Sequence, residues 1–355
     1  MRKLRVLVVD DSMFMRRMIT DLLQQDAELE VVGTAKNGQE GLEMARQLKP
    51  DVITLDVEMP VMDGVTMLQR LMQEQPTPVL MLSSLTKEGA EVTLKCLELG
   101  AVDFVTKPSG SISMDLYKIS SQIIEKVKVA ARARVVVAPT AARPAAAPPT
   151  PAVLTGRSTP NAPLVVIGAS TGGPRALNTV LSGLPPQLNA KILLIQHMPE
   201  GFTRSLAERL DRNSAFSVRE SQGGETLEAG VAYLAPGGKH LKLERGERIA
   251  LTEDPPVHGV RPAVDVALLS IAQNYQGAVV VAILTGMGSD GAAGVRALAA
   301  KGAYTIAEDE STCVVFGMPR AAIQTGAVKR VAPLHHIAEA ITEGVKQVCN
   351  KSHAA

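Results

Sequence analysis

Five side chains in the N-terminal third of the sequence could together hold and sense a phosphoryl group. Asp10, Asp11 and Asp56 come directly after apolar runs of strand length. Ser83 and Lys107 follow two later runs of the same kind. Three carboxylates in one pocket would repel each other unless a hard cation such as Mg²⁺ lay among them. A hydroxyl and an ammonium on the opposite rim would suit a phosphoryl group attached to one carboxylate.

A serine in a glycine-rich turn is the candidate nucleophile of the C-terminal half. The turn G-A-S-T-G-G-P, residues 168–174, follows the apolar run Leu164–Ile167 and precedes a helical pattern over Arg175–Leu184. Ser170 would lie where backbone N–H groups and a helix dipole converge, which suits a nucleophile or an anion. Such turns more often bind nucleotides, but this one lacks the Gly-x-Gly-x-x-Gly order and the P-loop lysine. It also matches the short pattern Gly-x-Ser-x-Gly, so the turn alone leaves both interpretations open.

A serine nucleophile needs a base, and the base needs an orienting acid. The candidate bases are the six histidines, His197, His240, His258, His335, His336 and His353. His197 emerges at the end of the run that starts at Lys191, and Asp290 follows the most apolar run of this half, so both would share a sheet edge with Ser170. An α/β-hydrolase runs Ser, acid, His, an order that only a C-terminal base such as His335 could meet. The spacing predicts a triad of Ser170, His197 and Asp290 and leaves a triad with a C-terminal base open.

Parallel sheets must position these residues. In the first part of the chain, five apolar runs alternate with helical stretches whose apolar residues recur every three or four positions. The runs are Leu4–Val9, Leu29–Thr34, Val52–Leu55, Val79–Leu82 and Phe104–Thr106. Such alternation predicts an α/β domain with a doubly wound, five-stranded parallel sheet, in which ligands bind at the carboxyl ends of the strands.

The second part of the chain alternates in the same way. Its apolar runs are Leu164–Ile167, Lys191–Ile195 and Ala278–Leu284. They predict a doubly wound α/β hydrolytic domain with a mostly parallel sheet. Between Phe216 and Leu251, short strand-like pieces broken by Gly-Gly and Pro-Gly turns predict either a mixed sheet or an inserted hairpin.

An Ala/Pro-rich segment separates the two parts. From Val135 to Pro163 the composition changes to Ala, Pro, Thr and Val, which cannot bury a core and favours an extended, semi-rigid linker. We therefore expect one domain at residues 1–130, a linker at 131–162 and a second domain at 163–350.

Charge and cysteine content indicate which kinds of partner the protein can bind and in which cellular compartment it lies. The 37 basic and 36 acidic residues are interspersed and leave a net charge of +1, which opposes binding to nucleic acid or to an anionic membrane. Cys96, Cys313 and Cys349 have no C-x-x-C spacing and fit a reducing cytoplasm. The apolar run at residues 278–284 is far shorter than the roughly 20 residues of a spanning helix. We expect a soluble cytoplasmic protein that inserts in no membrane.

The first part resembles the receiver domains of two-component response regulators. The matching motifs, over about residues 3–125, are D-D-S at 10–12, D-V-E-M-P-V-M-D-G from Asp56 and K-P at 107–108. The resemblance implies that Asp56 is the phospho-acceptor, that Asp10 and Asp11 join it in holding Mg²⁺, and that Ser83 and Lys107 are the switch hydroxyl and ammonium. It also implies a cis peptide bond between Lys107 and Pro108.

The second part resembles the catalytic domain of the chemotaxis protein-glutamate methylesterases, the CheB family. The motifs that carry the resemblance are I-G-A-S-T-G-G-P, I-Q-H-M-P-E-G-F, Y-L-A-P-G-G-K-H, H-G-V-R-P-A-V-D and L-T-G-M-G-S-D-G. Ser170 is implied as nucleophile, His197 as general base and acid, and Asp290 as the group that orients His197. The backbone N–H of Met287 is implied in the oxyanion hole.

The implied function is hydrolysis of glutamate γ-methyl esters, and deamidation of glutamine, on methyl-accepting chemoreceptors. The implied phosphodonor is the chemotaxis histidine kinase, and the esterase chemistry needs no cofactor. Arg261 and His258, in a proline-rich loop, are candidates for receptor docking. Two rival hypotheses are a response regulator with a DNA-binding output domain and a nucleotide-binding effector that uses residues 168–173.

Overall fold

The computed structural model describes residues 2–107, 115–135 and 162–352. The chain divides into two compact units, residues 1–140 and 141–355. Most of the expected linker lies outside the described residues, and so does the peptide bond that joins Lys107 to Pro108.

The first unit is a five-stranded parallel sheet with helices between the strands. Its elements are β1 (Leu4–Val9), α1 (Met13–Leu23), β2 (Leu29–Ala35), α2 (Gly38–Leu48), β3 (Val52–Asp56), α3 (Gly64–Glu74), β4 (Val79–Ser83), α4 (Lys87–Leu99), β5 (Asp103–Thr106) and α5 (Asp115–Arg132). The strand order is β2-β1-β3-β4-β5, and every pairing is parallel. The predicted fold class is confirmed.

Local sequence signals mark where four helices of this unit begin. Ser12, Asn37, Asp63 and Thr86 each accept a hydrogen bond from a backbone N–H in the first turn of α1, α2, α3 and α4, as N-cap residues do. Every residue of β3 and β4 is buried, because helices cover both faces of a parallel sheet. The strand order reverses between β1 and β3, so the residues that follow these two strands face one crevice.

The second unit contains a seven-stranded sheet and a separate hairpin. Its elements are β6 (Leu164–Ala169), α6 (Gly173–Gly183), β7 (Lys191–Gln196), α7 (Phe202–Asn213), β8 (Ser217–Glu220), β9 (Val231–Leu234), β10 (His240–Glu244), β11 (Arg248–Thr252), α8 (Val264–Asn274), β12 (Val279–Ile283), α9 (Ala292–Ala300), β13 (Tyr304–Glu308), α10 (Met318–Gln324), β14 (Arg330–Ala332) and α11 (Leu334–Ser352). The order of the large sheet is β14-β13-β12-β6-β7-β9-β8.

All pairings within the seven-stranded sheet are parallel. The region from Phe216 to Leu251 divides its strands between two structures: β8 and β9 extend the large sheet, whereas β10 and β11 form an antiparallel hairpin. The expectation of an inserted hairpin is therefore confirmed, and that of a mixed sheet is wrong.

The core of the second unit lies where α8 and the hairpin pack on the central strands. Val166, Leu193, Tyr233, Ile271 and Val281 are all fully buried in one apolar cluster. The strand order reverses at β6, which has β7 on one side and β12 on the other. Among the described residues, no helix is both long and apolar enough to cross a membrane.

Candidate active site and phosphoryl pocket

The register between β6 and β7 brings Ser170 beside His197. Ala169 pairs with Gln196 at the end of the ladder, and the His197 N–H donates to the Ala169 carbonyl at 3.0 Å. Ser170 and His197 are thus the next residues of two adjacent strands, whose backbones run about 4.8 Å apart. The nucleophile and the base predicted from the sequence lie side by side at the reversal of strand order.

The Asp290 carboxylate is hydrogen-bonded to the imidazole of His197. His197 Nε2 is 2.7 Å from Asp290 Oδ2, and only 9% of the His197 side chain and 2% of the Asp290 side chain are exposed. Because Nε2 is taken by the carboxylate, Nδ1 is the nitrogen left for proton exchange. His197 Nδ1 has no hydrogen-bond partner among the described residues.

The N-terminus of α8 holds the Asp290 carboxylate in its charged form. Asp290 Oδ2 accepts the Val264 N–H at 2.6 Å, and Oδ1 accepts the Asp265 N–H at 2.8 Å. A helix N-terminus carries partial positive charge and stabilises an anion. Burial alone would raise the pKa of Asp290, but the bond from His197 and the two backbone N–H groups outweigh it and lower the pKa. The carboxylate is therefore ionised and fixed in position.

The loop after β12 approaches the serine and holds one backbone N–H in a fixed orientation. The Gly286 carbonyl accepts the N–H groups of Gly317 and Met318, at 3.0 and 2.8 Å, at the start of α10. In a trans peptide the N–H points opposite to the carbonyl, so the Met287 N–H is fixed facing away from α10. A Cβ on Gly286 would be 2.8 Å from Ser170 Cβ, so only glycine lets this loop approach the serine.

The hydroxyl of Ser170 and the N–H of Met287 are both free for a ligand. Within the part of the chain that the structure describes, neither group makes a hydrogen bond. The Ser170 hydroxyl is therefore not bonded to His197 in this state. Catalytic hydrogen bonds often tighten only in the complex with substrate, and the two free groups are those that would attack a carbonyl carbon and bind its oxygen.

In the first unit, Lys107 bridges two carboxylates at the carboxyl edge of the sheet. Lys107 Nζ lies 2.9 Å from Asp10 Oδ2 and 2.8 Å from Asp56 Oδ1. Burial raises the pKa of Asp56 to about 6, although Lys107 lowers it. Burial also opposes the charged form of Lys107, but Asp56 and Asp10 outweigh it and raise the pKa of the ammonium.

The same carboxylates fit a divalent cation. Carboxylate oxygens of Asp10, Asp11 and Asp56 all lie within 4.8 Å of one another. Asp10 Oδ2 is buried and accepts no hydrogen bond of good geometry from the described residues, even though Lys107 Nζ is close. An oxygen-only set of hard ligands, one of them exposed, suits Mg²⁺, which keeps several waters.

Ser83 is at the end of β4, but its hydroxyl is directed to α4. Its oxygen is 3.3 Å from the Gly89 carbonyl and accepts a hydrogen bond from Thr93 at 2.5 Å. It makes no hydrogen bond with Asp56 among the described residues. The structure thus brings Asp10, Asp11, Asp56 and Lys107 into one cluster and leaves the Ser83 hydroxyl bonded elsewhere.

Comparison with known proteins assigns both units. The CheB methylesterase profile matches residues 165–341, and the response regulator receiver domain profile matches residues 6–115. A protein-glutamate methylesterase/protein-glutamine glutaminase of Symbiobacterium thermophilum is 52% identical over 354 residues, 97% of this chain and 98% of the relative. A protein of the same name from Geobacillus kaustophilus is 51% identical, over 97% of this chain and 99% of the relative.

The chain belongs to the CheB methylesterase family. The crystal structure of the Thermotoga maritima CheB methylesterase catalytic domain is similar to the second unit, with 44% identity and a TM-score of 0.50 over 51% of this chain and 98% of that one. The family assignment excludes the two rival hypotheses of a DNA-binding output domain and a nucleotide-binding effector.

Two buried residues beside the candidate active site were not predicted from the sequence. Gln196 is buried, and its Nε2 donates to the carbonyls of Ser170 and His197 at 2.9 and 3.0 Å. Asp265 is also buried, and its Oδ1 accepts the Gly294 N–H in the first turn of α9 at 2.8 Å. The I-Q-H motif contained a signal for Gln196, since a polar residue that ends a buried strand must find partners.

Asp265 and Asp290 exchange helix caps. Asp290, just before α9, accepts N–H groups of α8, and Asp265, in the first turn of α8, accepts an N–H of α9. His258 Nε2 lies 3.0 Å from Asp265 Oδ2 and 3.8 Å from Asp290 Oδ1. Asp290 is thereby held between α8 and α9.

Arg261 and His335 make no hydrogen bond to Ser170, His197 or Asp290 within the described residues. Arg261 donates to the carbonyls of Glu253 and Asp254 in its own loop. The alternative base His335 is at the start of α11 with its ring 4.4 Å from that of His336. The partner of Asp290 is instead His197, so the geometry favours the Ser, His, Asp order.

Proposed function

We propose that this chain is a phosphorylation-activated serine hydrolase that removes methyl groups from glutamate γ-methyl esters of chemoreceptors and deamidates receptor glutamines. The observation that carries the proposal is the pairing of His197 with Asp290 at the end of β7, next to Ser170. The names of its relatives, protein-glutamate methylesterase/protein-glutamine glutaminase, supply the substrate class. Residues 163–350 would form the catalytic domain, and residues 131–162 a linker.

In the first half of the reaction Ser170 becomes acylated. His197 Nδ1 takes the proton of the Ser170 hydroxyl as its oxygen attacks the ester carbonyl carbon. The resulting imidazolium is stabilised by Asp290, which stays ionised. His197 then gives the proton to the departing oxygen, so that methanol leaves and a glutamyl ester of Ser170 remains.

The oxyanion of the tetrahedral intermediate needs preorganised donors. The Met287 N–H is free, follows the glycine that approaches Ser170 and is held by the two hydrogen bonds to the Gly286 carbonyl. A donor fixed in advance costs no reorganisation, and removing one such donor typically lowers kcat by about 10²–10³-fold. Met287 is therefore the backbone donor that we assign to the oxyanion hole.

In the second half water releases the receptor. His197 Nδ1 deprotonates a water molecule, which attacks the acyl carbon, and the Ser170 oxygen leaves with the proton. Glutamine reacts in the same way with ammonia as the first leaving group. Both reactions convert a neutral receptor side chain into a carboxylate.

The receiver unit would control this activity through Asp56. A chemotaxis histidine kinase would be the phosphodonor, and Lys107 would pair with the transferred phosphoryl group. Asp10, Asp11 and Asp56 would hold Mg²⁺, which when bound neutralises charge on the phosphoryl oxygens during transfer. Ser83 would leave its bonds with α4 and turn to the phosphoryl group, coupling the pocket to the β4–α4 region.

The nucleophile can be tested with radiomethylated receptor membranes. Ser170→Ala should release no methanol above background, whereas Ser182→Ala should match the wild type. Ser182 is an exposed serine of α6 whose hydroxyl donates to Thr179 O at 3.2 Å. Methanol release by Ser170→Ala at the rate of Ser182→Ala would exclude the proposed nucleophile.

A further inference from the structure

A buried glutamate lies beneath the catalytic loop without any role in the reaction described above. Glu308 is the last residue of β13 and is fully buried. Its Oε2 accepts the Thr285 N–H at 2.8 Å, and its Oε1 accepts the Thr312 hydroxyl at 3.0 Å. Within the described residues Glu308 forms no ion pair. A buried carboxylate without a cation is costly, so its retention calls for a reason.

Thr285 connects this glutamate to the nucleophile. The ladder between β12 and β13 ends at the pair Ile283–Ala307, so the Thr285 N–H lies beyond it and is taken by the Glu308 side chain. On its other side, the Thr285 carbonyl accepts the Ser170 N–H at 3.0 Å. One residue therefore joins Glu308 to the backbone of the catalytic serine.

Thr285 also anchors the start of the oxyanion loop, residues 285–288, to two other segments. Its hydroxyl donates to the Thr171 carbonyl and accepts the Val315 N–H, each at 3.0 Å. The next residue, Gly286, donates its N–H to the Val315 carbonyl at 3.1 Å. The Met287 N–H is thus positioned from one side by the bonds of α10 to the Gly286 carbonyl and from the other by Thr285. Glu308 provides the side-chain acceptor for the Thr285 amide.

We infer that Glu308 is a positioning residue for the methylesterase reaction, acting through Thr285 to align the Met287 N–H with Ser170. This inference rests on the proposed function. Glu308 acts as an acceptor at a fixed place, not as a charge. Burial raises the pKa of Glu308, and both its ionised and its protonated forms keep an oxygen for the Thr285 N–H.

Three substitutions separate the acceptor from the charge. Glu308→Gln keeps an amide oxygen for Thr285 and can donate to Thr312, so kcat should stay within about 3-fold of the wild type. Glu308→Met has similar length but no acceptor, and the resulting shift of the loop should lower kcat on the order of 10²-fold. Glu308→Asp keeps the charge but is one methylene shorter, so it should lose kcat as well.

Thr305→Val is the matched control. Thr305 is on the same strand, is fully buried and donates to the Ala327 carbonyl at 2.6 Å, but it has no bond to the oxyanion loop. We expect its kcat to be unchanged even where its stability falls.

The experiment measures kcat and KM of each full-length variant on methylated receptor membranes, with thermal unfolding to verify folding. The inference predicts a loss in kcat with little change in KM for Glu308→Met and Glu308→Asp, and recovery in Glu308→Gln. The inference would be overturned if Glu308→Met and Glu308→Asp fold and keep wild-type kcat. It would also be overturned if Glu308→Gln folds but is inactive. If Glu308→Met fails to fold, the comparison of Glu308→Asp with Glu308→Gln tests the inference. An active Ser170→Ala enzyme would instead contradict the proposed function.

Discussion

Replacing Asp290 by Asn tests the proposed orienting role of this carboxylate more sharply than removing the side chain would. Asp290 accepts three hydrogen bonds, from His197, Val264 and Asp265. Asparagine has one carbonyl oxygen and one amide group, so it cannot accept at both positions. In each of its two orientations the amide faces a group that was a donor to the carboxylate.

The two orientations have different consequences. If the amide faces His197, Nε2 must become the acceptor, and the proton moves to Nδ1, where it blocks the base. Such a wrong tautomer lowers kcat by about 10⁴-fold in serine hydrolases. If the amide faces the Asp265 N–H, a buried hydrogen bond to a charged acceptor is lost, which costs about 1.5–3 kcal/mol. Each orientation keeps one bond to α8, from Asp265 in the first and from Val264 in the second, because Val264 and His197 share Oδ2. In either case kcat falls, through the wrong tautomer in the first and through loss of the negative charge beside the imidazolium in the second.

The assay is methanol release at pH 7 together with denaturant unfolding. Asp290→Asn should lose about 10²–10⁴-fold in kcat while remaining folded. Asp254→Asn is the control, since Asp254 is an exposed carboxylate bonded to Lys242. An Asp290→Asn enzyme that keeps more than a tenth of wild-type kcat would refute the assignment of the acid.

The pH dependence of stability has a definite sign. The pKa of Asp290 is lowered from 3.8 in the folded protein. Its ionised form therefore stabilises the fold above that pH, and the contribution is lost as the pH falls through the folded value. The stability difference between wild type and Asp290→Asn should be full at pH 7 and should shrink below about pH 4.

Three further predictions concern the surroundings of the triad. Gly286→Ala places a Cβ 2.8 Å from Ser170 Cβ; stopped assays of methanol release should show kcat lower on the order of 10²-fold, and wild-type kcat would contradict the close approach. Gln196→Leu leaves two strand-end carbonyls without their donor and should destabilise the protein by about 1–3 kcal/mol in urea unfolding; an unchanged midpoint would exclude this role. Because the pKa of Glu308 is raised from 4.5, its ionisation destabilises the fold as the pH rises above that value, so Glu308→Gln should gain stability relative to wild type between pH 4.5 and 7. A constant difference across that range would argue against a buried, unpaired carboxylate.

The strands could be predicted from the sequence because apolar runs in a buried parallel sheet end where polar residues begin. Val52–Leu55 was predicted and Val52–Asp56 is observed, since the backbone ladder continues for one residue past the last apolar side chain. The same logic placed Ser170, His197 and Asp290 on one edge of the sheet. The hairpin of β10 and β11 stayed ambiguous, because short strands do not reveal their partners.

Contacts between distant segments could not be predicted. Asp265 and Asp290 exchange caps only because α8 packs beside α9, and the partners are 25 residues or more apart in sequence. In the sequence, Glu308 is only a polar residue at the end of a strand. Its contact with Thr285 arises because β12 pairs with β13 in the fold. The Ser83 hydroxyl depends on the rotamer and on Thr93 of α4, neither of which is a property of a motif.

We propose that phosphorylation of Asp56 activates ester hydrolysis at Ser170. The most direct measurement is the rate of methanol release from radiomethylated receptor membranes, with and without a small phosphodonor and Mg²⁺, for wild type and Asp56→Asn. We predict that the phosphodonor accelerates the wild type by about 5- to 150-fold, the usual range of allosteric coupling, and leaves Asp56→Asn at its resting rate. Equal acceleration of both proteins, or none of the wild type, would contradict the account.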